Sequence, residues 1–309
     1  MSKVITGLEK VCIIGVDSSN VPDFGDLYWF DTILEDGSYT KEPYSVPKGN
    51  GALESAGHKH VFKFRSSNSE QASSAESLSS AGIRCWVFGY GIGECIVWRQ
   101  PCEILVEKHV ENKSGQLLYF DVTCTVSGVD GVSDIKDGNN LLRPTLSDGT
   151  LSTAKFTTTT GTLTAGATPN AGFTTATGTC FRLVNTPGST GTSYPIVSPY
   201  DNMFPAKVGM TFSFYADCYW FGSGTGSSAD LRLVEYDGSL ALQATTTNAL
   251  VKTTVTRFNS SDPLQVTISD ADTVLITIGA SVTATGTPDS IEFDNLALFY
   301  GGYRAYTEN

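Results

Sequence analysis

The chain has 309 residues, 40% of them hydrophobic, with a formal charge of −12. That length supplies apolar side chains for two ordinary cores, and no stretch reaches the ~20 apolar residues of a membrane helix. Acids exceed bases in both halves, 16 to 11 over residues 1–128 and 16 to 9 over residues 129–309, a balance opposite to that of a nucleic-acid reader and suited to letting DNA pass without sticking.

Residues 1–10 lack a basic start followed by an apolar run, so no export signal is expected and the chain is expected to fold in a cytoplasm. Period-two apolar patterning then runs along the whole chain, the mark of strands with one buried face. His58 and His60 fall on one face of such a strand with Phe62 and Phe64, while Lys59, Lys63 and Arg65 form a basic stripe on the other. Two histidines without a third ligand nearby make a weak metal site, so packing at the core edge is expected. The basic stripe is expected to face water or the acidic groups of a neighbouring subunit.

One segment reads as a helix, Ser69–Ala81, with Asn68 as N-cap, Gln71 three residues on, Gly82 as a stop and a thin stripe of Ala72, Ala75 and Leu78. A serine-rich loop is the alternative. Beyond it, Gly89-x-Gly91-x-Gly93 resembles a phosphate loop only superficially, because Cys95-Ile96-Val97-Trp98 continues as strand instead of opening a helix. A bend between two strands is expected. The stretches Ile104–Glu111 and Gln116–Val126 then form a long hairpin around Asn112-Lys113-Ser114-Gly115.

Small and turn-forming residues cluster over 127–139, and Lys and Glu give way to Thr, Ser, Gly and Ala. The expected division is a first domain at 1–128, a linker at 129–136 and a second domain at 137–309. In the second domain, Phe212, Phe214, Ala216, Cys218 and Trp220 fall on one strand face, and Thr211, Ser213, Tyr215, Asp217 and Tyr219 on the other. Tyr215, Asp217 and Tyr219, joined by Tyr236 from the next strand, make a candidate glycan platform, since sugars need aromatic planes and orienting polar groups. Ordinary cross-strand packing is the competing reading of these tyrosines. Asp237-Gly238 closes a hairpin.

The seven cysteines are odd in number and scattered, with no CxxC pair, so they read as reduced core residues. Three histidines, no G-x-S-x-G and no H-E-x-x-H leave no catalytic constellation, and no enzyme activity is expected.

Asn139-Asn140-Leu141-Leu142-Arg143-Pro144 opens the second domain, and Ile291-Glu292-Phe293-Asp294-Asn295-Leu296-Ala297-Leu298 closes it. These two stretches resemble the bookends of the jelly-roll carbohydrate-binding modules of families 4 and 9. The resemblance implies a sandwich in which the two motifs lie side by side. It also implies a structural calcium site at Asp294, although Ser147 and Asp148 stand where that family usually has a glutamate.

The first domain, a compact β domain with long hairpins and one flanking helix, is similar in organisation to the tail-tube proteins of long-tailed bacteriophages. That resemblance implies stacked hexameric rings through which DNA passes, in contact with other virion proteins. The expected whole is an all-β chain of two β-sandwich domains, the first with a single flanking helix and the second a jelly roll. A head-decoration or fibre-anchoring protein, or a freestanding carbohydrate-binding protein or adhesin, are the alternatives.

Overall fold

A computed structural model describes residues 2–5, 7–49, 52–67, 69–91, 95–111, 117–129, 135–136, 140–142, 157–175, 177–185, 190–194, 203–222, 225–258, 262–285 and 287–301. The chain divides into two compact units, Met1–Asn139 and Asn140–Asn309. Both are β-sandwiches built from antiparallel pairings, as the period-two patterning implies, and the first carries one helix.

The first unit contains β1 (Ser2–Ile5), β2 (Leu8–Val16), β3 (Pro22–Phe30), β4 (Ile33–Pro47), β5 (Leu53–Ser66), α1 (Ser69–Ser80), β6 (Arg84–Gly91), β7 (Cys95–Glu111), β8 (Leu117–Val129) and β9 (Ile135–Lys136). Their order in the sheet is β1-β4-β5-β8-β7-β6-β2-β3, with β9 beside β7. Strand β7 makes the sandwich possible. Its first part pairs with β6 through Ile96 to Cys102 and its second with β8 through Glu103 to Glu111, so one long strand serves both arms of the folded sheet. Between the arms, the Trp98 ring lies 6.2 Å from both Phe62 and Tyr39.

Helix α1 buries Ala72 and Ala75 in this core, with Leu78 beside them. Asn68 lies outside the described residues. The C-terminal stop is a Schellman motif: Ile83 N–H donates to Leu78 O and Gly82 N–H to Ser79 O, with Gly82 at φ +70°. That left-handed conformation is the reason for glycine there.

The one-face rule fails at β2 and β6. Val11 to Ile14 are all 0% exposed, and β6 is buried from Cys85 to Gly91. Val11, Ile13 and Val87 point into the core, and Cys12, Ile14, Trp86 and Phe88 cover the reverse face, where Arg99 lies over the Phe88 ring at 5.2 Å. A continuous apolar run is what a strand buried on both faces requires. Of the glycine-rich run, Gly89 and Gly91 lie in β6, with Gly89 opposite Ile96 of β7, and residues 92–94 lie outside the described residues. The segment expected to be a linker contributes to the first unit: Val129 ends β8, and Ile135 and Lys136 pair with Ile96 and Cys95.

The second unit contains β10 (Thr157–Thr160), β11 (Thr162–Ala167), β12 (Cys180–Val184), β13 (Thr190–Tyr194), β14 (Phe204–Pro205), β15 (Thr211–Gly222), β16 (Thr225–Tyr236), β17 (Leu242–Ala249), β18 (Val255–Phe258), β19 (Leu264–Thr267), β20 (Leu275–Thr285) and β21 (Asp289–Tyr300). One sheet runs β10-β13-β20-β16-β17 with β14 against β20, the other β11-β12-β21-β15-β18 with β19 against β15. The two bookend motifs meet as the jelly-roll resemblance implies. Asn140 Oδ1 accepts from the backbone N–H of Leu298 at 3.1 Å, and Leu141 N–H donates to Leu298 O at 2.7 Å. Leu141 and Leu142 are thereby buried to 1% exposure.

All seven cysteines are free thiols and buried. Burial pushes Cys85 and Cys180 up to about 12, which keeps these thiols protonated and inert.

Candidate functional site

The face of the β11-β12-β21-β15-β18 sheet that points away from the sandwich core holds most of the residues singled out in the sequence. Strand β15 lies beside β21 in a register that breaks after Tyr215 opposite Ala297 and resumes at Asp217 opposite Asp294. The extra residue is taken up at Asn295, φ 54°, a conformation asparagine tolerates better than most residues. Its side-chain Nδ2 donates to Asp217 Oδ2 at 2.9 Å. The bulge re-aims the two carboxylates of this stretch.

Beyond the bulge lies an aromatic row. The Tyr219 ring is stacked on Phe221 (5.8 Å between centroids, 18° between planes) and on Phe173 (6.1 Å, 10°). The guanidinium of Arg182 sits 5.7 Å from the Phe221 ring centre. Arg182 is held by Glu292, its cross-strand partner, through Nε at 2.8 Å and a second contact from Nη2. Glu292 is fully buried and also accepts from Asn170, through backbone N–H at 3.0 Å and Nδ2 at 2.9 Å. Arg182 Nη2 donates to Thr168 O at 2.6 Å. The segment 168–175 is thus a strap pinned across the sheet, and Phe173 under it packs with Ala167 and Cys180 in a small satellite core.

The structure divides the four-residue platform expected from the sequence. Tyr219 and Asp217 lie on this face. Tyr215 shares their side of the strand but is only 5% exposed, with its ring against Phe299 at 4.8 Å, so it packs and offers no plane to a ligand. Tyr236 belongs to the opposite sheet. Strand β16 follows β15 almost at once but pairs with β17 and β20, placing Tyr236 opposite Leu275 and Leu242. Phe221 was legible as a partner, being two residues beyond Tyr219. No sequence signal ties Arg182 or Asn170 to Glu292, more than a hundred residues away.

Asp294 is 1% exposed. Among the described residues no group of three or more His, Cys, Asp or Glu side chains is placed to hold a metal. With Glu292 taken by Arg182 and Asn170, Asp294 and Asp217 are the carboxylates left on this stretch among the described residues. Ser147 and Asp148, the other residues named for the calcium site that the jelly-roll resemblance implies, lie outside the described residues. His60 is a core residue, 1% exposed with Nδ1 2.7 Å from Tyr39 Oη. Burial raises the Tyr39 phenol above its ordinary range.

At the far end of β15 a second buried charge is neutralised. Asp289 is 0% exposed and accepts at Oδ2 from Lys252 Nζ (2.7 Å) and Trp220 Nε1 (3.2 Å). Gly222, at φ +144°, makes room for it, since a Cβ there would lie 1.9 Å from Asp289 Oδ1.

In the first unit the sheet face that carries the basic stripe is internally compensated at one end. Arg65 donates through Nε and Nη2 to Asp121 (2.7 and 3.1 Å), pairs with Glu35, and lies 4.3 Å over the Tyr119 ring. Hydrogen bonding to Arg65 lowers the Asp121 pKa. Arg65 is therefore committed within its own chain, and Lys59 and Lys63 alone remain of the stripe expected to meet a neighbour.

No protein family and no curated protein matches the chain. Solved structures do. Tailspike protein 4 of bacteriophage CBA120 aligns at 13% identity over 53% of this chain and 21% of its own, with a TM-score of 0.36. A carbohydrate-binding module of the β-sandwich superfamily aligns at 13% identity over 84% of this chain and 98% of its own, with a TM-score of 0.33. The family 11 carbohydrate-binding module of the Clostridium thermocellum cellulase Lic26A-Cel5E aligns at 10% identity over 52% and 96%, with a TM-score of 0.29. The chain spans about a fifth of the tailspike domain and 25% of an arabinofuranosidase that also aligns. At these identities the likeness concerns the β-sandwich fold alone.

Proposed function

We propose that this chain is a virion structural protein, a tail-tube subunit. In this reading the first unit assembles into stacked hexameric rings through which DNA passes, and the jelly-roll unit decorates the outer surface. The observation that carries the reading is the build of the first unit. It is an open antiparallel sheet whose end strands β1 and β3 have no further neighbour among the described strands, and hairpin β4–β5 continues past its flanking strands. Such edges pair with other chains unless they are covered or blunted. The acidic charge of the whole chain suits a conduit to which DNA must not adhere.

A second reading, glycan binding by the jelly roll, is favoured by the Tyr219–Phe221 row beside Arg182 and Asp217. It is compatible with the first, as a decorating domain that touches a host surface, and it also describes a freestanding adhesin. No catalytic step belongs to either reading.

Negative-stain electron microscopy of the purified full chain tests the first. Rings or stacked tubes with a central channel are the expected outcome. Monomers at every protein concentration would overturn the tail-tube reading and leave the adhesin.

A further inference from the structure

The β4–β5 hairpin outruns the sheet that supports it. Strand β4 last meets β1 where Thr40 faces Ser2, and β5 last meets β8 where His58 faces Val129. From there to the tip, among the described residues, the two strands pair only with each other: Ser45 with Ser55, Val46 with Glu54 and Pro47 with Leu53. A two-stranded ribbon is marginal in water by itself. This one also exposes Leu53 to 73% and Val46 to 36%. Its tip is held by Lys48, whose N–H donates to Ala52 O at 2.7 Å and whose Nζ lies 3.2 Å from Glu54.

The two margins of the ribbon differ. Strand β4 contains Pro43 and Pro47, which have no N–H to offer, the usual device for blunting an edge. Strand β5 runs Leu53-Glu54-Ser55-Ala56-Gly57 with no proline. Strand β3, at the far end of the same sheet, ends it and displays the exposed carboxylates of Asp23 and Asp26. In a chain of net charge −12, the ribbon and its base carry three lysines, Lys41, Lys48 and Lys59, against two acids, Glu42 and Glu54.

We propose that the β5 margin of this ribbon adds as a strand to the β3 edge of a second copy of the chain. The inference rests on the assembly reading above and names its contact. Main-chain bonds would satisfy both edges. Lysines would approach Asp23 and Asp26, and Leu53 would leave water. Two different surfaces meet, so the contact is head-to-tail, the type that closes into rings.

The test uses the full chain with Asp26→Cys and Ser55→Cys together. Mild oxidation is expected to give a ladder of covalent oligomers on a non-reducing gel, absent from each single variant. Ser55→Pro is expected to weaken self-association about tenfold or more in analytical ultracentrifugation, with circular dichroism reporting an intact fold. Oligomers that persist in Ser55→Pro and give no ladder in the double variant would overturn this contact while sparing the assembly reading. A covalent dimer from Ser55→Cys alone would overturn the head-to-tail arrangement. A wild-type chain that never self-associates would remove both.

Discussion

Tyr219 is the residue at which packing and the proposed glycan platform coincide. Its ring is flanked by Phe173 under the strap and Phe221 at the open end, and each aromatic pair contributes about 0.5–1.5 kcal/mol beyond area burial. The two neighbours therefore respond differently to truncation. Phe221→Ala is expected to abolish binding on a glycan array while leaving the melting temperature within a few degrees of wild type. Tyr219→Ala is expected to abolish binding and also to destabilise the unit by about 1–3 kcal/mol. Retained binding in Phe221→Ala would rule out the row as a sugar platform. Asp217 and Tyr219 were recognisable as facing away from the core because strand parity is a local property. The burial of Tyr215 depends on Phe299, which strand parity alone does not bring near.

Among elements, the strap over 168–175 depends on one acceptor. Glu292 takes hydrogen bonds from Asn170 and Arg182 in a position with no exposure. Removing one partner of such a pair leaves the other unsatisfied, at a cost of about 3–5 kcal/mol when fully buried. Arg182 is 28% exposed, so solvent screens part of this and about 2–3 kcal/mol is expected for Glu292→Ala. Limited proteolysis followed by mass spectrometry should then find new cleavage between residues 168 and 175, and urea unfolding should show the loss of stability. An unchanged digestion pattern would mean that Phe173 alone holds the strap. The α1 helix is the opposite case. Its stripe of Ala72, Ala75 and Leu78 and its Gly82 stop were legible because caps act within a few residues. Tyr236 was expected beside Tyr219 because β16 follows β15 at once, and consecutive strands usually pair. The jelly roll sends the second strand to the other sheet.

For the whole molecule, the division at Asn139 and Asn140 has a measurable consequence. Strand β9 caps the β7 edge at Cys95 and Ile96, so a fragment of residues 1–139 is expected to unfold at a higher urea concentration than one of residues 1–128. Equal midpoints would mean that β9 adds nothing to the first unit.

The sequence by itself determined the all-β class, the helix after Asn68 and the hairpin closed at Asp237, and its family resemblance implied the pairing of the second unit's two ends. Each depends on residue period, on a cap or turn chemistry a few residues long, or on motifs specific to one fold. Tertiary structure alone decided which residues share a surface. The Arg182–Glu292–Asn170 cluster, the packing of Tyr215 on Phe299 and the two-faced burial of β2 and β6 all follow from strand order, which brings distant segments within hydrogen-bond reach. Neighbouring residues carry no signal of that order, because strand pairing joins segments through backbone groups that every residue shares.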